Sequence, residues 1–83
     1  MSDKNNYEKI AAKLDMTGKQ CFEIRLILRA EIEKIPIGSL LELITDNPLS
    51  EINVPKWCRI HNHELFISDI KEGKYIYYIK RMI

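Results

Sequence analysis

Leu14-Asp15-Met16-Thr17-Gly18-Lys19-Gln20-Cys21 joins two patterns of different period. On its N-terminal side, Ile10 to Asp15 reads as a short strand, and Gly18 supplies the turn that ends it. On its C-terminal side the period becomes helical. Ile24, Ile27, Leu28, Ile32 and Ile35 recur at three- and four-residue spacings, while Glu23, Arg25, Arg29, Glu33 and Lys34 fall between them. Cys21 stands where that helix begins. A helix N-terminus carries unpaired N–H groups and roughly half a positive charge. A thiol placed there has a stabilised thiolate, and the thiolate is the nucleophile. The position suits sulfur chemistry better than packing.

Beyond this helix, Pro36 and Gly38 are stop signals. Leu40-Leu41-Glu42-Leu43-Ile44-Thr45 is a mostly apolar run of strand length, as a central strand requires. Asp46-Asn47-Pro48 has turn and cap chemistry. Leu49 to Asn62 reads as a second helical region, with Pro55 expected to divide it into two short pieces. His63 to Ile70 and Lys74 to Arg81 form a hairpin through Lys71-Glu72-Gly73. The order β-α-β-α-β-β predicts an α/β (α+β) two-layer sandwich, with two helices on one face of a four-stranded mixed sheet. Residues 1–8 read as a flexible polar tail and residues 9–83 as a single domain. Ile24, Leu28, Ile32, Leu41, Leu43, Leu65 and Ile67 are the expected core.

The chain has 83 residues, enough for one modest core, with 46% hydrophobic and 30% charged residues. A net charge of +1 makes no strong electrostatic case for nucleic acid or membrane as an obligate partner. Met1 to Lys13 lacks an apolar secretory segment, and no apolar run approaches the ~20 residues that cross a bilayer. A cytoplasmic address is the default expectation, and there Cys21 and Cys58 are expected to be free thiols.

Each candidate residue has a plain reading beside the functional one. Cys21 is either a nucleophile or a small buried residue. Cys58, beside Trp57 in the second helical region, reads as core. Cys58, His61 and His63 follow no common zinc spacing, so no metal or cofactor is expected. Asp46 reads as a turn or cap residue. Lys19, Arg25 and Arg29 read as a solvated helix face that flanks the thiol and could receive an acidic partner. Phe66, Ile76 and Tyr78 are candidates for a sheet face without helices, better suited to protein contact than to bases.

These residues in this order resemble the TusA/SirA-like sulfur-carrier family. The family pattern runs Leu-Asp, two residues, Gly, two residues, then Cys-Pro-x-Pro opening a helix. Leu14-Asp15, Gly18 and Cys21 match it. Gly38 matches the glycine before the second strand, Asp46-Asn47-Pro48 the acidic-proline turn, and Val54-Pro55-Lys56-Trp57-Cys58 the Ile-Pro-x-x-Cys helix. His63-Glu64-Leu65 and Tyr75 to Lys80 match the closing hairpin, so the resemblance spans about Lys13 to Lys80. It departs in the signature, where Phe22 and Ile24 replace both prolines. Proline at the first helical position fixes helix entry; without it the turn is expected to be less rigid, with an aromatic beside the sulfur.

The resemblance implies a sulfur-relay protein. Cys21 would take a sulfane sulfur from a cysteine desulfurase or rhodanese, hold it as a persulfide and pass it to an acceptor protein. Routes known for the family include transfer RNA thiolation, molybdenum cofactor maturation and sulfur oxidation. Asp15, Gly18 and Asp46 would support the motif, and Lys19, Phe22, Arg25 and Arg29 would dock partners. The expected state is a monomer, with a weak dimer as the alternative, and no direct nucleic-acid partner. The alternative function is a non-catalytic binding or regulatory module that keeps the fold.

Overall fold

The computed structural model describes residues 10–83, so the expected tail over residues 1–8 lies outside the described residues. The elements are β1 (Ile10–Asp15), α1 (Cys21–Ile32), β2 (Leu40–Thr45), α2 (Ser50–Ile60), β3 (Glu64–Lys71) and β4 (Lys74–Lys80). They form one four-stranded sheet in the order β1-β2-β4-β3. β1 and β2 are parallel, which requires a crossover connection, and α1 supplies it. β2–β4 and β4–β3 are antiparallel. The expected two-helix, four-stranded mixed sheet is what the chain forms. No helix of the described residues is long and apolar enough to cross a membrane.

Register explains which face the helices cover. Leu41 lies opposite Ile79 and Leu43 opposite Tyr77, and all four are buried under the helices. From α1, Ile24, Leu28 and Ile32 pack onto them; from α2, Val54, Trp57 and Cys58 do so. The intervening pairs, Glu42–Tyr78 and Ile44–Ile76, point to the other face, as period-two alternation demands. Ile76 and Tyr78 thus lie on the open face, where the Tyr78 hydroxyl donates to Glu42 Oε2 at 3.1 Å.

Three sequence expectations need correction. α1 ends at Ile32 rather than Ile35, because the chain turns at Glu33–Lys34 with Lys34 N–H donating to the Glu31 carbonyl. Arg81 Nη1 then donates to the carbonyls of Glu33 and Ile35 at 3.1 and 2.7 Å, closing the end of the helix from just beyond the last strand. α2 is one helix that runs through Pro55, not two pieces. The missing N–H costs the bond to Glu51, whose residue is exposed so that water can serve the carbonyl. Burial of Val54, Trp57 and Cys58 on the face opposite holds the turns together. Finally, Leu65 and Ile67 are half-buried, because β3 is an edge strand with an irregularity between them.

Both hairpin and helix ends use left-handed residues. Glu72 (φ 53°) and Gly73 (φ 79°) make the two-residue loop between β3 and β4, the primed turn that suits strand twist. Asn62 (φ 63°) ends α2, with His63 N–H donating to the Cys58 carbonyl at 2.9 Å and Asn62 N–H to that of Arg59 at 3.3 Å.

Candidate functional site

Cys21 is the first helical residue of α1, and Gln20 precedes it in extended conformation (φ −85°, ψ 162°). The helix start is fixed without proline. Gln20 N–H donates to Glu23 Oε1 at 2.9 Å, and the Gln20 side chain returns the contact to the Glu23 N–H, a reciprocal capping box. Glu23 also puts a negative charge in the first turn, where the helix dipole favours it.

The loop ahead of Cys21 is tied from both sides. Met16 is buried, and its N–H donates to the Ile44 carbonyl at 2.7 Å. Asp15 Oδ1 accepts from Thr17 N–H at 3.1 Å and from Thr17 Oγ1 at 2.6 Å. The Thr17 hydroxyl, then its N–H, hold the Asp15 carboxyl below its usual range. Gly18 is left-handed (φ +83°), and its N–H donates to Asp46 Oδ1 at 3.0 Å. Asp46 is therefore a tie to the cysteine loop. Asn47 Oδ1 accepts from Leu49 N–H at 3.0 Å in the turn ahead of α2, whose cap residue Leu49 has no side-chain cap bond.

The sulfur is half-buried at the junction of the helices. Asn53, on α2, donates its side-chain Nδ2 to Cys21 Sγ at 3.1 Å. Below lies a crevice of about 10 Å³ bounded by Cys21, Ile24, Leu28, Ser50, Val54 and Trp57. That space admits about one water-sized atom. Above lies an open groove of about 470 Å³, with Phe22, Leu26 and Ile60 as apolar walls and Arg25, Arg29 and Lys56 as charges. Phe22, Leu26 and Ile60 are 53%, 69% and 62% exposed, unusual for such side chains in one place. Among the described residues the ion pairs are Lys13–Glu42 and Lys34–Glu31, both away from this groove.

The expected site residues divide accordingly. Phe22, Arg25 and Arg29 line the groove, while Lys19 sits exposed in the loop before Cys21 and does not. Asp15, Gly18 and Asp46 shape the loop rather than touch the sulfur. Cys58 is 2% exposed, and burial pushes its thiol up to about 12. His61 and His63 lie against Trp57, with ring centroids 4.6 and 5.7 Å away, and His63 Nδ1 accepts from Met82 N–H. Among the described residues no group of three or more His, Cys, Asp and Glu is placed to hold a metal ion. Sequence reasoning missed Asn53 and the Gln20–Glu23 box. The box had a signal in its spacing of three; Asn53 had only its poor helix propensity in an otherwise helical run.

The family described as "Sulfurtransferase TusA" matches residues 12–81. The chain is 31% identical to the protein named "Sulfur carrier protein TusA" from Pseudomonas syringae, over 98% of this chain and 96% of that one. It is 35% identical to the one from Pseudomonas fluorescens, over 82% of each. The Pseudomonas putida protein of that name is 33% identical, over 84% of this chain and 88% of its own length.

Proposed function

The chain belongs to the TusA family of sulfurtransferases, and we propose that it relays sulfur as a persulfide on Cys21 between a donor and an acceptor protein. The observation that carries the reading is the contrast between its two thiols. Cys21 opens a helix, half-buried, with an amide donor on its sulfur. Cys58 is packed in the core, where burial opposes ionisation.

The step is a transfer with no net redox change. The Cys21 thiolate attacks the sulfane sulfur of a donor persulfide. The new S–S bond forms as the bond to the donor's cysteine breaks, and that cysteine leaves as a thiolate. Delivery reverses the roles, with an acceptor thiolate attacking the outer sulfur. No general base at the site is required if the thiol reacts ionised. The groove beside Cys21 suits protein docking. Its exposed Phe22, Leu26 and Ile60 offer apolar area, and Arg25, Arg29 and Lys56 favour an acidic partner surface.

The test incubates the protein with a cysteine desulfurase and cysteine, or with a rhodanese and thiosulfate. Mass spectrometry should show one added sulfur that a reductant removes. Wild type and Cys58→Ser should gain it and Cys21→Ser should not. Loading on Cys58 alone, or on neither cysteine with several donors, leaves the non-catalytic module as the better account.

A further inference from the structure

Among the described residues, the side-chain partner of Cys21 comes from the other helix. Asn53 lies 32 residues away in sequence, yet its Nδ2 is 3.1 Å from Cys21 Sγ. An amide NH₂ is a donor only, so toward sulfur it favours the form with most negative charge. We propose that Asn53 is the positioning residue of the sulfur site: its amide donates to Cys21 Sγ at the crevice mouth and there steadies the thiolate that attacks the sulfur donor. This rests on the persulfide reading given above.

Several features converge on Asn53. It borders both the narrow crevice and the open groove, as do Arg25 and Trp57. Cys21 lines only the crevice. The sulfur is thus drawn toward α2, away from the groove, by a single neutral donor. The crevice walls next to it are mostly apolar, from Ile24, Leu28, Val54 and Trp57, with Arg25 and Ser50 at their borders. In such surroundings a hydrogen bond to charge is stronger than in water, and its loss is felt more. The backbone fixes the Cys21 end through the Gln20–Glu23 box, and burial of Val54 and Trp57 fixes the Asn53 end. Two rigid helices therefore hold donor and acceptor at bonding distance. During loading, negative charge passes from Cys21 Sγ to the donor's leaving thiolate. The persulfide that remains carries its charge on the outer sulfur, one bond beyond the Sγ that Asn53 meets.

The experiment compares wild type, Asn53→Leu, Asn53→Ala and Asn53→Gln. Leu keeps the size of Asn without a donor, Ala covers the case in which Leu misfolds, and Gln keeps a donor on a longer arm. Two readouts are taken on folded protein. The first is the iodoacetamide alkylation rate of Cys21 at one pH, with Cys58→Ser as background. The second is loading by a cysteine desulfurase, split into kcat and KM. Leu and Ala should slow alkylation at least fivefold and lower kcat similarly, with KM within twofold. Gln should recover at least a third of each loss. Leu and Ala behaving as wild type would overturn the proposal, and so would Gln being no better than Leu. If wild type itself takes no sulfur, the persulfide reading falls, while the alkylation rates still decide whether Asn53 acts on the thiol.

Discussion

The Gly18 amide donates to Asp46 Oδ1 at 3.0 Å across 28 residues of sequence. This bond joins the turn before Cys21 to the turn after β2, so the end of the central strand helps place the start of α1. Glycine suits position 18 for a separate reason. The residue sits at φ +83°, and a Cβ there would meet nothing within 4 Å. The constraint is the backbone angle, not space.

Gly18→Ala is therefore expected to cost about 1–2 kcal/mol from the left-handed angle alone. Asp46→Ala removes one exposed hydrogen bond and should cost about 1 kcal/mol. Both act on one turn, so the double variant should cost less than the sum. Urea unfolding of the three proteins measures this. Strict additivity would mean that the tie does not fix the turn.

Much of the architecture was legible because single residues carried it. The mostly apolar run Leu40 to Thr45 is what a central strand is expected to show, and its buried alternate positions bear that out. The four-residue spacing of Ile24, Leu28 and Ile32 put one face of α1 on the core. What misled was Pro55, where tertiary burial of Val54 and Trp57 outweighs a local helix breaker. Leu65 and Ile67 misled for the opposite reason: hydrophobicity does not say which strand is at an edge. The site was half legible. Cys21 and its loop follow local patterns, but Asn53 reaches the sulfur through packing of α1 on α2, which no local spacing encodes.

Leu43 tests the central position of β2. It is fully buried on the sheet face under the helices, opposite Tyr77. Leu43→Ala should lower unfolding free energy by about 2–5 kcal/mol, the range for a core cavity that cannot collapse. Chemical denaturation is the measurement. A loss under ~1 kcal/mol would contradict a core position.

Cys58 predicts an alkaline limb in stability. Its thiol stands near 9.0 when unexceptional and is pushed up to about 12 by burial. Between those values the unfolded chain releases a proton that the folded chain keeps. Stability from this group is thus whole below about 9 and declines as pH rises through the window toward 12. Burial raises the Tyr77 hydroxyl too, so the two groups share the limb. Unfolding free energy measured from pH 8 upward should fall less steeply in Cys58→Ala than in wild type. Parallel curves would show that the buried thiol does not contribute. In the native protein at pH 8, an alkylating agent should mark Cys21 and spare Cys58.

Phe22→Pro asks how the helix opens. From the sequence, Phe22 stood at the first helical position, where proline is welcome. In the structure that position is Cys21, and Phe22 is the second helical residue. Proline disfavours helical angles in the residue before it, so at 22 it would push Cys21 toward extended backbone. Cys21 would then become the cap residue, the Gln20–Glu23 box would break, and Sγ would move relative to Asn53. The protein should stay folded, because Ile24, Leu28 and Ile32 keep α1 on the sheet. It should lose about 1 kcal/mol, the usual worth of a helix cap. Alkylation of Cys21 should slow, and adding Asn53→Leu should slow it little further, since both changes break the same contact. Outright unfolding would mean that the first turn of α1 carries more of the fold than the exposed Phe22 suggests. Unchanged stability and alkylation would mean that the thiol works equally well as cap or as first helical residue, and that its contact with Asn53 does not depend on the helical angles of Cys21.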